Sequence, residues 1–140
     1  MPTYMYMPAL KDLIEKFTDG DLPASRFIHG MVHITGGGLS KLRELISQRR
    51  DVDINVSRSH GLNPQDIFWL AHRDLNLSSE QMYTRFNNGI GYVIAVSEEK
   101  GAHALEILNA HFDAQAIGRV VEGSGKVEIA SKYDSNLLTF

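Results

Sequence analysis

Two glycine-bearing turns carry the residues best suited to chemistry. His33-Ile34-Thr35-Gly36-Gly37-Gly38-Leu39 sets three consecutive glycines between an extended run, Arg26 to Ile34, and a helical run, Leu39 to Ile46. Backbone N–H groups left uncovered by side chains, beside the positive end of a helix dipole, have the physics of a phosphate cradle. The same glycines could simply reverse the chain by supplying φ > 0, and their spacing matches neither GxxxxGK(S/T) nor GxGxxG. The second turn, Phe86-Asn-Asn-Gly-Ile-Gly91, leads into an apolar strand. There Asn87 offers an amide side chain, and Gly89 and Gly91 permit close approach of a ligand, although a plain turn accounts for them equally.

His33 is the candidate catalytic group, because an imidazole titrates near neutral pH and can give a hydrogen bond or a positive charge to an anion. A strand-end histidine bonded to water or backbone is the alternative. His29 and His33 would lie about 13 Å apart along a strand, too far to share an ion. His60, His72, His103 and His111 show no HExxH or comparable spacing, so no metal site is expected. No Ser-His-Asp set, nucleophile elbow or carboxylate pair emerges. Trp69, Tyr4, Tyr6, Tyr83 and Tyr92 read as core or interface more readily than as stacking platforms. Arg49-Arg50 reads as a solvated helix end.

The elements that must position these turns fit one domain, residues 1–140, burying about two thirds of its unfolded surface. A net charge of −3 gives no basic footprint for nucleic acid or an anionic membrane. The absence of cysteine excludes disulfides, thiolate nucleophiles and cysteine-held metals. With no long apolar run and no signal-peptide pattern at the N-terminus, a cytoplasmic protein is expected.

Thr3 to Met7 reads as a short strand, and Pro8 opens a helix with Leu10, Leu13, Ile14 and Phe17 inward. Leu39, Leu42, Leu45 and Ile46 mark the inner face of a second helix, and Asp51 to Val56 alternates as a half-buried strand does. Asn63-Pro64 predicts an N-cap and first turn for a helix to about Asp74; Ser78-Ser-Glu-Gln81 is a capping box. Ile90 to Val96 predicts a central strand, followed by a helix with Leu105, Leu108 and Phe112 on one face. Ile117 to Glu122 and Lys126 to Ala130, joined through Gly123-Ser-Gly125, predict a hairpin, and the last ten residues a loose polar tail. The fold class is therefore α+β: a mixed β-sheet with helices packed on it.

The two turns together resemble a known family. Ile28-His-Gly-Met-Val32 leading into His33 to Leu39, and Met82-Tyr-Thr-Arg-Phe-Asn-Asn-Gly-Ile-Gly91, are similar to the two hallmark segments in the C-terminal half of phosphoribosylformylglycinamidine cyclo-ligase, also called aminoimidazole ribonucleotide synthetase. Pro2-Thr-Tyr-Met-Tyr6 is similar to the entry into that half, and Ile67-Phe-Trp-Leu70 to its middle helix. The architecture is shared with selenophosphate synthetase, thiamine-phosphate kinase and a hydrogenase-maturation protein. Several of these relatives carry an acidic residue where this chain has His33, which favours the cyclo-ligase branch.

The resemblance implies a purine-biosynthesis enzyme that uses ATP to activate the formyl oxygen of formylglycinamidine ribonucleotide, after which an amidine nitrogen closes the imidazole ring. It implies that ATP and Mg are held mainly by an N-terminal half that also builds a homodimer, with no cofactor on the C-terminal half alone. This chain would then be the substrate-side half, inactive without its N-terminal, ATP-binding half. By matching position, Thr35, Gly36, Gly37 and Gly38 would meet the substrate phosphate or the phosphoryl group in transit. His33 would polarise the reacting oxygen, and Asn87, Gly89 and Gly91 would line the cleft. A non-catalytic phosphate-binding or assembly module of the same fold is the alternative, as is a domain of a related ATP-dependent enzyme. Gln81, the order Thr84-Arg85, Tyr4 and Pro8 depart from the family pattern, removing charged residues there.

Overall fold

A computed structural model describes residues 5–140. In chain order the elements are α1 (Met7–Phe17), β1 (Ile28–His33), a 3-10 helix (Gly38–Ile46), β2 (Val52–Val56), α2 (Asp66–Asp74), α3 (Ser79–Arg85), β3 (Tyr92–Val96), α4 (Gly101–Asn109), β4 (Gly118–Glu122), β5 (Val127–Ala130) and β6 (Leu137–Thr139). The α+β class is as the sequence implies. Two compact units form, one from the chain up to Met31 with Ile94–Ala116, the other from Val32–Val93 with Ile117–Phe140. Strands β1 and β3 pair as a two-stranded sheet. Among the described residues no helix is long and apolar enough to cross a membrane.

In the first unit, Leu13 and Phe17 of α1 form a core with Ala24 and with Ala104 and Ile107 of α4. Pro8 sits in the first turn of α1, where a missing N–H costs nothing. Ile14 stays 42% exposed, and Ala9 takes the buried place expected of it. The expected strand from Thr3 lies partly outside the described residues; Met5 and Tyr6 are not extended into a strand, and Met7 is already helical. On α4, Ala104 and Ile107 are the buried positions rather than Leu105 and Leu108, which are half-buried.

The second unit carries the four-stranded mixed sheet, in the order β4-β2-β5-β6. The expected hairpin does not form. β4 pairs antiparallel with one edge of β2 and β5 parallel with the other, so β2 lies between them. The connection wraps the start of β2, where Asp53 Oδ1 accepts from the N–H groups of Ser124 and Lys126, both at 2.8 Å. These backbone donors hold the Asp53 carboxyl below its ordinary value. The last residues are not loose: β6 pairs antiparallel with β5, and Tyr133, Leu138 and Phe140 pack on the core.

Leu39, Leu42 and Ile46 of the 3-10 helix are buried against Ile54, Val56, Val127 and Ile129 of the sheet. Leucines at 39, 42 and 45 recur every three residues, the repeat that a three-residue turn aligns on one stripe. α3 starts with the capping box in full, Ser78 Oγ accepting from Gln81 N and Gln81 Oε1 from Ser78 N. α2 starts at Asp66, later than Asn63-Pro64 suggests, because Asn63 Oδ1 instead accepts from the Lys132 ammonium at 2.8 Å. β3 pairs with β1 and stands outside the four-stranded sheet, so it is not the central strand expected.

Candidate functional site

Every residue singled out in the two glycine turns lies in the second unit. β1 ends at His33, whose ring stacks on Tyr92 with centroids 5.8 Å apart. One residue on, the N–H of Ile34 donates to the carbonyl of Gly91 at 2.9 Å. That bond sets the start of the first turn directly beside the end of the second. His33, Thr35, Gly36 and Gly37 are exposed, Asn87 and Gly91 half-buried.

The glycines divide by role. A Cβ on Gly36 would meet nothing within 4 Å, and one on Gly37 only Lys41 Cγ at 3.8 Å, so these two present open backbone. Gly37, at φ +89°, is left-handed and favours glycine for its conformation alone. Gly38, at φ +58°, is buried, and a Cβ there would meet the carbonyl of Tyr83 and stand 2.7 Å from that of Phe86. It is needed for close packing of the 3-10 helix on the end of α3. Gly89 repeats this in the second turn: φ is +89° and its Cβ would fall 2.6 Å from the carbonyl of Asn63.

Asn87 organises its own turn, its side-chain oxygen accepting from Gly89 N and its carbonyl from Ile90 N, both at 3.0 Å. This is an Asx turn, so outward polarity from the Asn87 side chain falls to its amide nitrogen.

Two groups, Lys41 and Tyr133, escaped sequence reasoning, while Asn88 adopts the left-handed backbone its residue type tolerates. Lys41 is half-buried and sends its ammonium to the carbonyl of His33 at 3.3 Å and to Thr35 Oγ1 at 3.4 Å, putting a cation at the first turn. Its position one helical turn past Gly37 was the available signal. Asn88 is 2% exposed at φ +52° and donates to the carbonyls of Met82 and Phe86 at 3.1 and 2.9 Å. Tyr133 OH donates to Asn88 Oδ1 at 2.5 Å, and nothing in the local pattern of the tail announces that. Among the described residues, no three His, Cys, Asp or Glu side chains stand together to hold a metal.

Comparison with known proteins then gives the family. The profile described as "AIR synthase related protein, C-terminal domain" matches residues 8–130. The chain belongs to the AIR synthase related family. Curated relatives in that family include the phosphoribosylformylglycinamidine cyclo-ligase of Rippkaea orientalis, 36% identical over 133 residues that are 93% of this chain and 35% of that protein. The enzyme of the same name from Thermococcus kodakarensis is 33% identical over 124 residues, 89% of this chain and 32% of that protein. The chain thus spans about a third of the length of these AIR synthase relatives.

Two solved structures share the fold. The hydrogenase maturation protein HypE superposes with TM-score 0.67 at 19% identity, over 94% of this chain and 40% of that one. HypE of E. coli gives 0.62 at 21%, over 96% and 38%. The family resemblance and the α+β architecture read from sequence are therefore both met.

Proposed function

We propose that this chain is the substrate-side portion of an ATP-dependent cyclo-ligase that converts formylglycinamidine ribonucleotide to aminoimidazole ribonucleotide in purine biosynthesis, in the cytoplasm. The observation that carries the proposal is the Ile34 to Gly91 bond, which sets the exposed first turn beside the second. Beside it lie the uncrowded, exposed backbone of Gly36 and Gly37, the Thr35 hydroxyl and the Lys41 ammonium, a set suited to an anion.

In this reading the substrate's 5′-phosphate, or the phosphoryl group in transit, meets Thr35 to Gly37, with Lys41 supplying positive charge at the first turn. Gly38 and Gly89 act one step behind, letting the turns approach α3 and the Asn63 loop. His33, held face to face with Tyr92, orients or hydrogen-bonds the reacting oxygen. Asn87 to Gly91 form the facing wall.

The described residues do not fit a magnesium ion, having no acidic cluster to hold one. ATP and Mg would be bound by the family's N-terminal portion, outside these 140 residues, and the reaction would require that portion, with a homodimer in the full enzyme. Phosphoryl transfer depends on positioning and on cations around the phosphates. On that ground the isolated chain would be inactive.

The test is titration of the isotope-labelled chain with formylglycinamidine ribonucleotide while following its amide resonances. Shifts at Thr35 to Gly38 and at Asn87 to Gly91 together are expected. A chain whose two turns stay unperturbed at millimolar ligand would contradict the proposal and return the glycines to plain turns.

A further inference from the structure

The family match ends at residue 130, yet the residues that brace both glycine turns come after it. Tyr133 OH reaches Asn88 Oδ1, and Asn88 Nδ2 in turn bonds the carbonyls of Met82 and Phe86. The hydroxyl thereby fixes the orientation of a buried amide whose backbone is left-handed, immediately before Gly89. Asparagine tolerates that conformation better than most residues, and here its own side-chain bonds hold it in place.

Lys132 braces the other side. Its N–H donates to Tyr83 OH at 3.0 Å, and its ammonium to Asn63 Oδ1 at 2.8 Å and to the carbonyl of His60. Asn63 supplies the carbonyl that faces Gly89, and Tyr83 one of the two that face Gly38. Two consecutive residues therefore stand behind both turns. Arg58 anchors their segment, its Nε donating to the carbonyl of Ser131 at 2.5 Å. Burial lowers the Lys132 ammonium and raises the Tyr133 phenol from their ordinary values. In such surroundings a missing hydrogen-bond partner is costly.

We propose that Lys132 and Tyr133, beyond the matched family segment, are positioning residues for a phosphate-monoester site on the two glycine turns: without touching the ligand, they set the separation and aim of Gly36–Gly37 and Asn87–Gly91. The inference rests on the reading of those turns as the site.

The test compares the full chain with Tyr133→Phe, Lys132→Met and Lys132→Arg by amide resonances without ligand and by affinity for ribose 5-phosphate, with Gly37→Val as a reference. Tyr133→Phe should move the amides of Asn88 to Gly91 and weaken binding about tenfold. Lys132→Met should also move Gly38, and Lys132→Arg should restore most of the affinity. Tyr133→Phe keeps the ring against Trp69, 4.8 Å between centroids, so it remains readable if Lys132→Met does not fold. Wild-type affinity in both Tyr133→Phe and Lys132→Met, with binding lost in Gly37→Val, would overturn the positioning role and leave the site standing. Equal binding by wild type and Gly37→Val, or no binding by wild type, would remove the site and the proposal with it.

Discussion

The N–H of Ile34 donates to the carbonyl of Gly91 across 2.9 Å, and this single bond sets side by side two turns far apart in sequence. Everything exposed on the first turn, from His33 to Gly37, is thereby registered against Asn87 to Gly91. The physical consequence is that the glycines of these turns do different jobs.

Gly38→Ala should destabilise the protein by about 2–4 kcal/mol, since a left-handed residue gains a Cβ that collides with two backbone carbonyls. Gly37→Val should cost about 1–2 kcal/mol from its φ alone and remove substrate binding by covering the open backbone. Chemical denaturation and ligand titration on the two variants check this; equal stability losses would contradict the division.

Ser78→Ala should cost about 1 kcal/mol by removing the N-cap of α3. Substrate affinity should stay within twofold of wild type. A larger drop in affinity than in stability would mean that α3 carries more of the site than its packing on Gly38.

Acid sensitivity is expected at Asp53. Its carboxyl is held below the ordinary value of 3.8 by the N–H groups of Lys126 and Ser124. A depressed carboxyl stabilises the fold above its unfolded-state pKa, and that contribution disappears as pH falls through the folded value. Asp53→Ala should therefore unfold more easily than wild type at pH 7, with the difference closing as pH falls below 3.8. A difference independent of pH would contradict the role of the charge.

His60 gives a second window. Burial first, and the Lys132 ammonium second, lower its imidazole from 6.5, and its Nδ1 has no hydrogen-bond partner among the described residues. The unfolded chain takes up this proton more readily, so the stability due to neutral His60 is present above 6.5 and lost as pH falls through the folded value. His60→Leu should flatten the decline of unfolding free energy as pH falls below 6.5. An unchanged slope would place the acid sensitivity elsewhere.

Local chemistry was legible wherever the sequence decides alone. The Ser78–Gln81 capping box, Pro8 in the first turn of α1, and the alternation of β2 all stand as their residues imply. Non-local demands were not. Asn63 reads as a helix cap, but the distant Lys132 ammonium takes its side chain. Ile117–Ala130 reads as a hairpin, but β2 inserts and Asp53 secures the connection. For the candidate site, the glycines mark the two turns that the Ile34 to Gly91 bond brings side by side. They could not announce which of them face outward, nor that Asn88 hangs from Tyr133, because both facts depend on packing between distant segments.

The most direct measurement is ADP formation dependent on formylglycinamidine ribonucleotide, with this chain alone and after mixing with the N-terminal portion of a cyclo-ligase. Turnover only in the mixture, abolished by Gly37→Val, is the predicted result. No turnover in the mixture, with the chain shown to be folded, would contradict the cyclo-ligase assignment and leave a phosphate-binding or assembly module.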